Sequence, residues 1–350
     1  MKTKLSIVFL LITIYLNAQI PANYYDAAVG KYGAALKTQL CTIVAAHTER
    51  TYAQLWTDFQ TTDKRADGYV WDMYSNCSFT FVTQQDAGSG GTSECQYYNR
   101  EHSMPNSWFN KEYPMYSDLF HMYPTDKYVN NQRGNNPFGE TSSPSKTFIN
   151  GSKLGASSFS GYSGTVYEPV DEYKGDFART YFYMVTAYDD KVATWVSDQL
   201  AGNKYPALSD WSVILLLKWN SQDPVSTKET SRNNAVYSIQ GNRNPFIDHP
   251  ELAEYIWGTH KTDAWALNAG VADVHFSFSV SYNTESNELL IDTNENSPSY
   301  KIFNINGQTL QMGTLAASKT LFVNTYTPGM YILQLTSGSR TAIKKFIINR

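Results

Sequence analysis

The sequence predicts an α+β chain: a mostly helical body followed by a small all-β sandwich module. Three observations carry that prediction. From Asn23 to about Phe59 apolar residues recur at three- and four-residue spacing, the period of an amphipathic helix. Near residue 275 this texture gives way to short runs in which apolar and polar residues alternate, the period of half-buried strands. Between them, residues 69–165 are rich in Gly, Asn, Ser, Pro and aromatics, with only brief strand-like pieces such as "SFTFV".

Taken in order, the chain opens with MKTKLSIVFLLITIYLNAQ. Lys2 and Lys4 precede the apolar run Leu5 to Leu16, and Ala18 offers a small residue for cleavage. The expectation is a signal peptide over 1–18, cut near Ala18-Gln19, because the run is shorter than the roughly 20 residues of a spanning helix. The protein is then exported through the periplasm and secreted without stable membrane insertion. The body follows over 19–275. Its further helical signals are "VATWVSDQLAG", "SDWSVILLLKW" and "STKETSRNNAVYSIQG", the last with Ser226 and Glu229 spaced as a capping box and Gly241 beyond its end. The module over 276–350 reads as strands "ELLIDT", "YKIFNI", "TLFVNT", "MYILQL" and "AIKKFII", punctuated by Asn306-Gly307 and Pro328-Gly329.

Composition narrows the function. The leader and the module each carry a surplus of two positive charges, so the body holds −8 against −4 for the whole chain. That excludes a broadly basic nucleic-acid surface, and a polyanion would need a local site. Three cysteines suit an exported protein in which one pair at most can close. Cys77 and Cys95 bracket the Gly-rich "QQDAGSGGTSE", where a bridge would staple the next strand, and Cys41 sits in a helical pattern as a small hydrophobe.

Chemistry concentrates in "YYNREHSMPNSWF", residues 97–109, where Arg100, Glu101 and His102 are consecutive. A carboxylate can hold a hard divalent cation, and a neutral imidazole can take a proton near pH 7. Side by side they suit metal-assisted hydrolysis. Adjacent residues of a strand point to opposite faces, so if both serve one centre the backbone should leave strand geometry there. Downstream, "DLFHMYPTDKYVNNQRGNNPFGE" gathers Asn130, Asn131, Asn135 and Asn136 around Arg133. An amide oxygen is a neutral hard ligand, and a guanidinium can brace phosphate oxygens.

These stretches, with "DEYKGDFARTYFYM" and "SRNNAVYSIQGNRNPFIDHPE", resemble in the same order the bacterial endonuclease I family of secreted or periplasmic nucleases, over roughly residues 23–257. The resemblance implies a ββα-metal motif embedded in the body and one Mg²⁺, with Mn²⁺ or Ca²⁺ as alternatives. It also implies cleavage of DNA, and possibly RNA, with little sequence preference, leaving 5′-phosphate ends. By position, His102 corresponds to the general base, Glu101 and Asn130 to the metal ligands, and Arg133 to a family arginine; Arg133 and Arg100 are the expected phosphate or substrate contacts. The Cys-rich insertion of some relatives, and the arginine it carries, are missing here. A monomer is expected.

The remaining signals have plainer readings. His121 is expected to be structural, since the short-spaced His/Cys pairs of most zinc sites are missing. Lys174 and Arg179 read as helix packing and a surface ion pair, and Asp248 as a helix cap. The C-terminal "YKIFNINGQTLQMGTL", "TPGMYILQL" and "IKKFIINR" resemble the sorting domain of the type IX secretion system, whose machinery would be this chain's partner. Against the nuclease stands one competing reading. With 15% aromatics and 26 Tyr, the chain could be a secreted glycan-binding or adhesion protein without catalytic activity.

Overall fold

A computed structural model describes residues 20–267 except 87 and 89, and residues 278–349 except 285, 294–296, 306, 316–318, 338 and 339. The expected signal peptide over 1–18 and the first alternating residues before Phe278 lie outside that set. The chain falls into two compact units, the first ending at Leu267 and the second starting at Asn268. Among the described residues no helix is long and apolar enough to cross a membrane.

The first unit mixes helices with small antiparallel sheets. Helices α1 (Gly33–Val44) and α2 (Leu55–Thr62) replace the single long helical pattern read from the sequence. They are followed by β1 (Tyr98–His102), β2 (Met122–Asp126) and α3 (Lys127–Arg133). Next come β3 (Ser143–Thr147), β4 (Lys153–Ala156) and β5 (Thr165–Glu168), a three-stranded meander. Helices α4 (Lys174–Ala187), α5 (Asp210–Gln222), α6 (Thr227–Gln240), α7 (Pro245–Asp248) and α8 (Leu252–Ile256) complete the unit. Helix α4 is buried on every side. Such an all-round buried helix is the centre of a core rather than a surface element. Phe177, Tyr181 and Phe182 carry it into the cluster with Phe138, Trp219 and Trp257.

Several expectations are corrected. "VATWVSDQLAG" forms only a 3-10 turn at Val192–Thr194, and "SFTFV" forms no strand. Arg179 is fully buried, donating to Glu229 at 2.8 Å, so its ion pair is not a surface one. Asp248 ends α7 instead of capping a helix; it accepts from Arg243, Asn233 and Tyr25. The capping box of α6 is present, with Gly241 at φ +83° after it.

The second unit is strand-rich. Strands β6 (Phe278–Asn283), β7 (Glu288–Thr293) and β10 (Thr320–Phe322) form one sheet. Strands β8 (Ser299–Asn304), β9 (Thr309–Thr314), β11 (Gly329–Ser337) and β12 (Arg340–Ile348) form the other. Leu289, Ile291, Ile302, Leu333 and Leu335 belong to its own core.

Candidate active site

Strand β1 runs antiparallel to β2, with Glu101 opposite Tyr123 and His102 opposite Met122. Regular pairing therefore continues through both residues, against the expectation of a break. The period of two puts Asn99 and Glu101 on one face and Arg100 and His102 on the other. Because β1 ends at His102, both faces border one cavity of about 250 Å³. Arg100, Glu101, His102 and Asn130 line it, together with Tyr52 and Asn106.

Helix α3 starts immediately after β2, and Asp126 fixes its first turn by accepting from the amides of Tyr128 and Val129 at 2.8 and 3.1 Å. This is side-chain capping of backbone donors that have no partner within the helix. The other Asp126 oxygen accepts from the Cys95 amide at 2.7 Å, and Cys95 is disulfide-bonded to Cys77. These three side chains lie close together, but with both sulfurs in a disulfide they are not a metal-thiolate set. Asn130 and Arg133, three residues apart, share one face of the helix. Asn130 donates through Nδ2 to Asn99 Oδ1 at 2.8 Å, so its own Oδ1 is the free oxygen of the amide. Arg133 pairs with Glu101 Oε1, which also accepts from Tyr74 at 2.9 Å.

Arg133 is wholly buried. Its nitrogens donate to Glu101, to Tyr74 at 2.9 Å and to the Ser103 carbonyl at 2.7 Å, and its plane lies 4.2 Å from the Phe138 ring centroid. No part of it is turned to the cavity. Arg100 is half-buried and lines the cavity, its guanidinium 3.6 Å from the Tyr52 centroid and bonded to the Tyr52 carbonyl at 2.7 Å.

His102 Nε2 faces the Tyr116 carbonyl at 3.0 Å. A carbonyl only accepts, so Nε2 carries the hydrogen and Nδ1 is left as the basic nitrogen. The Asn106 amide donates to Nδ1 at 3.1 Å. Burial, then the neighbouring His121, lowers the His102 pKa to about 3, so the ring is neutral at physiological pH. Burial pushes the Glu101 carboxyl upward, and Arg133 pulls it back only in part. His121 is buried and bonds the Met115 carbonyl at 2.6 Å, which fixes the turn that presents Tyr116 to His102. A larger cavity of about 550 Å³, bordered by Trp71, Asp72 and Tyr173, contains no imidazole.

Asn99, Tyr52, Tyr74 and Asn106 were not read from the sequence as part of the site. Asn106 follows His102 by four residues and could have been found by that spacing. Tyr52 and Tyr74 come from distant parts of the chain and leave no local signal.

A family profile described as Endonuclease I matches residues 32–251, and one described as a secretion system C-terminal sorting domain matches 283–349. The chain is 36% identical over 241 residues to an extracellular ribonuclease of Bacillus amyloliquefaciens, covering 67% of this chain and 78% of that one. An extracellular ribonuclease of Bacillus subtilis is 35% identical over 243 residues, with the same coverage. Endonuclease-1 of Buchnera aphidicola is 29% identical over 131 residues, 37% of this chain and 46% of that one.

Proposed function

Because the chain belongs to the Endonuclease I family, we propose that Glu101, His102 and Asn130 form a ββα-metal centre hydrolysing phosphodiester bonds of DNA and RNA with little sequence preference. The chain is a secreted nuclease, and its tail is a sorting domain. The observation that carries the finer reading is the pairing of a base and two hard donors around one cavity. Tyr116 takes the Nε2 hydrogen of His102 and leaves Nδ1 unprotonated, accepting from the Asn106 amide where a water can replace it, while Glu101 and Asn130 keep oxygens not committed to side chains.

The donor set fits a divalent cation. A carboxylate and a neutral amide oxygen are hard ligands, and Mg²⁺ needs few protein ligands because it retains waters. Glu101 and Asn130 would hold it, with Mn²⁺ or Ca²⁺ as substitutes. When bound, such an ion supplies positive charge to a phosphate oxygen and to the leaving 3′ oxygen.

The residues do the rest. His102 Nδ1 takes a proton from a water attacking phosphorus, leaving a 5′-phosphate product. Its low pKa comes mainly from burial, and an anionic phosphate in the cavity raises it toward the working range. Arg133 positions Glu101 instead of holding phosphate, and Arg100 is the cation that borders the cavity.

The test is cleavage of plasmid DNA and of RNA by purified protein with and without EDTA, alongside His102→Ala. Cleavage lost with EDTA and with the substitution supports the reading. Cleavage unaffected by both removes it, as does absence of cleavage of either polymer by the unsubstituted protein.

A further inference from the structure

Beside the cavity, aromatic rings form a chain that leads from His102 to the surface. The His102 ring lies 4.8 Å from that of Tyr116, and Tyr116 lies 5.3 Å from Tyr113 in an edge-on arrangement. Tyr52 joins them, 4.7 Å from Tyr116, and carries the Arg100 guanidinium over its face. Exposure rises outward along the chain: His102 is buried, Tyr116 half-buried, and Tyr113 is 45% exposed.

The outermost ring is held by its backbone and not by its own polar atom. The Glu112 amide donates to the Phe109 carbonyl at 3.1 Å, and the Tyr116 amide to the Glu112 carbonyl at 2.9 Å, which closes the turn around Tyr113. Among the described residues the Tyr113 hydroxyl makes no hydrogen bond. A large, solvent-exposed ring, with a cation on the same aromatic cluster, is what a stacking platform for single-stranded nucleic acid requires. Arg100 joins this group through Tyr52, whose ring lies under the guanidinium at 3.6 Å and 4.7 Å from the Tyr116 ring.

We propose that Tyr113, with Tyr116 behind it and Arg100 beyond Tyr52, is a subsite for one unpaired nucleotide next to the scissile phosphate. The Tyr113 ring stacks on the base, and Arg100 faces a backbone phosphate. This rests on the nuclease reading above and adds a substrate class to it. In a duplex each base face is covered by its neighbour, so only an unpaired base has a face to offer the ring. Stacking is tolerant of sequence because every base has a π-face. The subsite therefore gives the enzyme a preference for single strands without giving it a preferred base.

The experiment measures equilibrium binding, in EDTA so that nothing is cleaved, of a short labelled single strand, the same strand with an abasic residue, and the corresponding duplex. Tyr113→Ala should weaken binding of the intact single strand roughly ten- to a hundred-fold, the effect of losing one stacked base. Tyr113→Phe keeps the ring and should bind as the unsubstituted protein does. Neither substitution should change duplex binding by more than about twofold, since Tyr113 has no base face to meet there. The proposal is overturned if Tyr113→Ala leaves single-strand binding unchanged, if it weakens strand and duplex alike, or if the unsubstituted protein binds no strand. Because binding is read without cleavage, a failure of the catalytic reading shows separately, as absence of cleavage when the metal is restored.

Discussion

The His102 ring has Nε2 tied to the Tyr116 carbonyl, so Nδ1 is the nitrogen that can take a proton, once a water takes the place of the Asn106 amide that donates to it. Replacing it by alanine should lower the cleavage rate by about 10²–10⁴, the usual contribution of a general base, in a plasmid-nicking assay at saturating metal. Calorimetry should show metal binding retained, because the proposed ligands Glu101 and Asn130 are untouched. Glu101→Ala and Asn130→Ala should behave differently: each removes an oxygen donor and keeps the base, so raised Mg²⁺ should restore part of the activity. A metal response identical to that of the unsubstituted protein would place the ion elsewhere. Arg133 is a third case. It is the buried counter-charge of Glu101, and Arg133→Leu leaves that carboxylate uncompensated. The expected loss is about 3–5 kcal/mol of stability in urea unfolding.

At the scale of elements, the site stands on β1, β2 and the start of α3, and the Cys77–Cys95 disulfide anchors that start through Asp126. The bridge closes a loop of 18 residues. Cys77→Ser with Cys95→Ser should therefore lower the unfolding free energy by about 3 kcal/mol in urea titration, on the loop-entropy account. The same element shows what was legible in advance. Glu101, His102 and Asn130 could be singled out as candidates that line one cavity because their chemistry lies in two short runs, and α6 because Ser226, Glu229 and Gly241 mark its ends. What surrounds the arginines is tertiary. Arg133 looks like a phosphate clamp in sequence, and only the fold shows Tyr74, Ser103 and Phe138 closing over it. The helix expected at "VATWVSDQLAG" stops for the same kind of reason, since the Val196 amide donates to the Trp108 carbonyl, far away in the chain. The break expected between Glu101 and His102 failed because a strand end can border a cavity with both faces.

Across the whole molecule, stability depends on charges buried in the first unit and on the separateness of the two cores. Burial pushes the Asp118 carboxyl up, but His47, His121 and hydrogen bonds from Phe120 and Tyr188 outweigh it, so its pKa is lowered. A carboxyl lowered on folding contributes stability above its unfolded pKa of about 4, and that contribution is lost as pH falls through the folded value. Asp118→Asn should thus be less stable than the unsubstituted protein at neutral pH, with the gap narrowing below about pH 4 in urea midpoints. The tail sets the last expectation. The hydrophobic residues of the second unit, such as Leu289, Ile302 and Leu333, form a core of their own, and those of the first, such as Leu36, Tyr181 and Trp219, form another. Every proposed site residue lies in the first unit, whereas the sorting-domain match covers 283–349. A chain ending at residue 275 should therefore cleave within about twofold of the full-length rate, because an independent module shares little core with its neighbour. In the native host the same truncation should leave the protein in the periplasm, as fractionation and immunoblotting would show. Loss of cleavage by the purified truncated chain, with secretion intact, would make the module a working part of the enzyme and not an address.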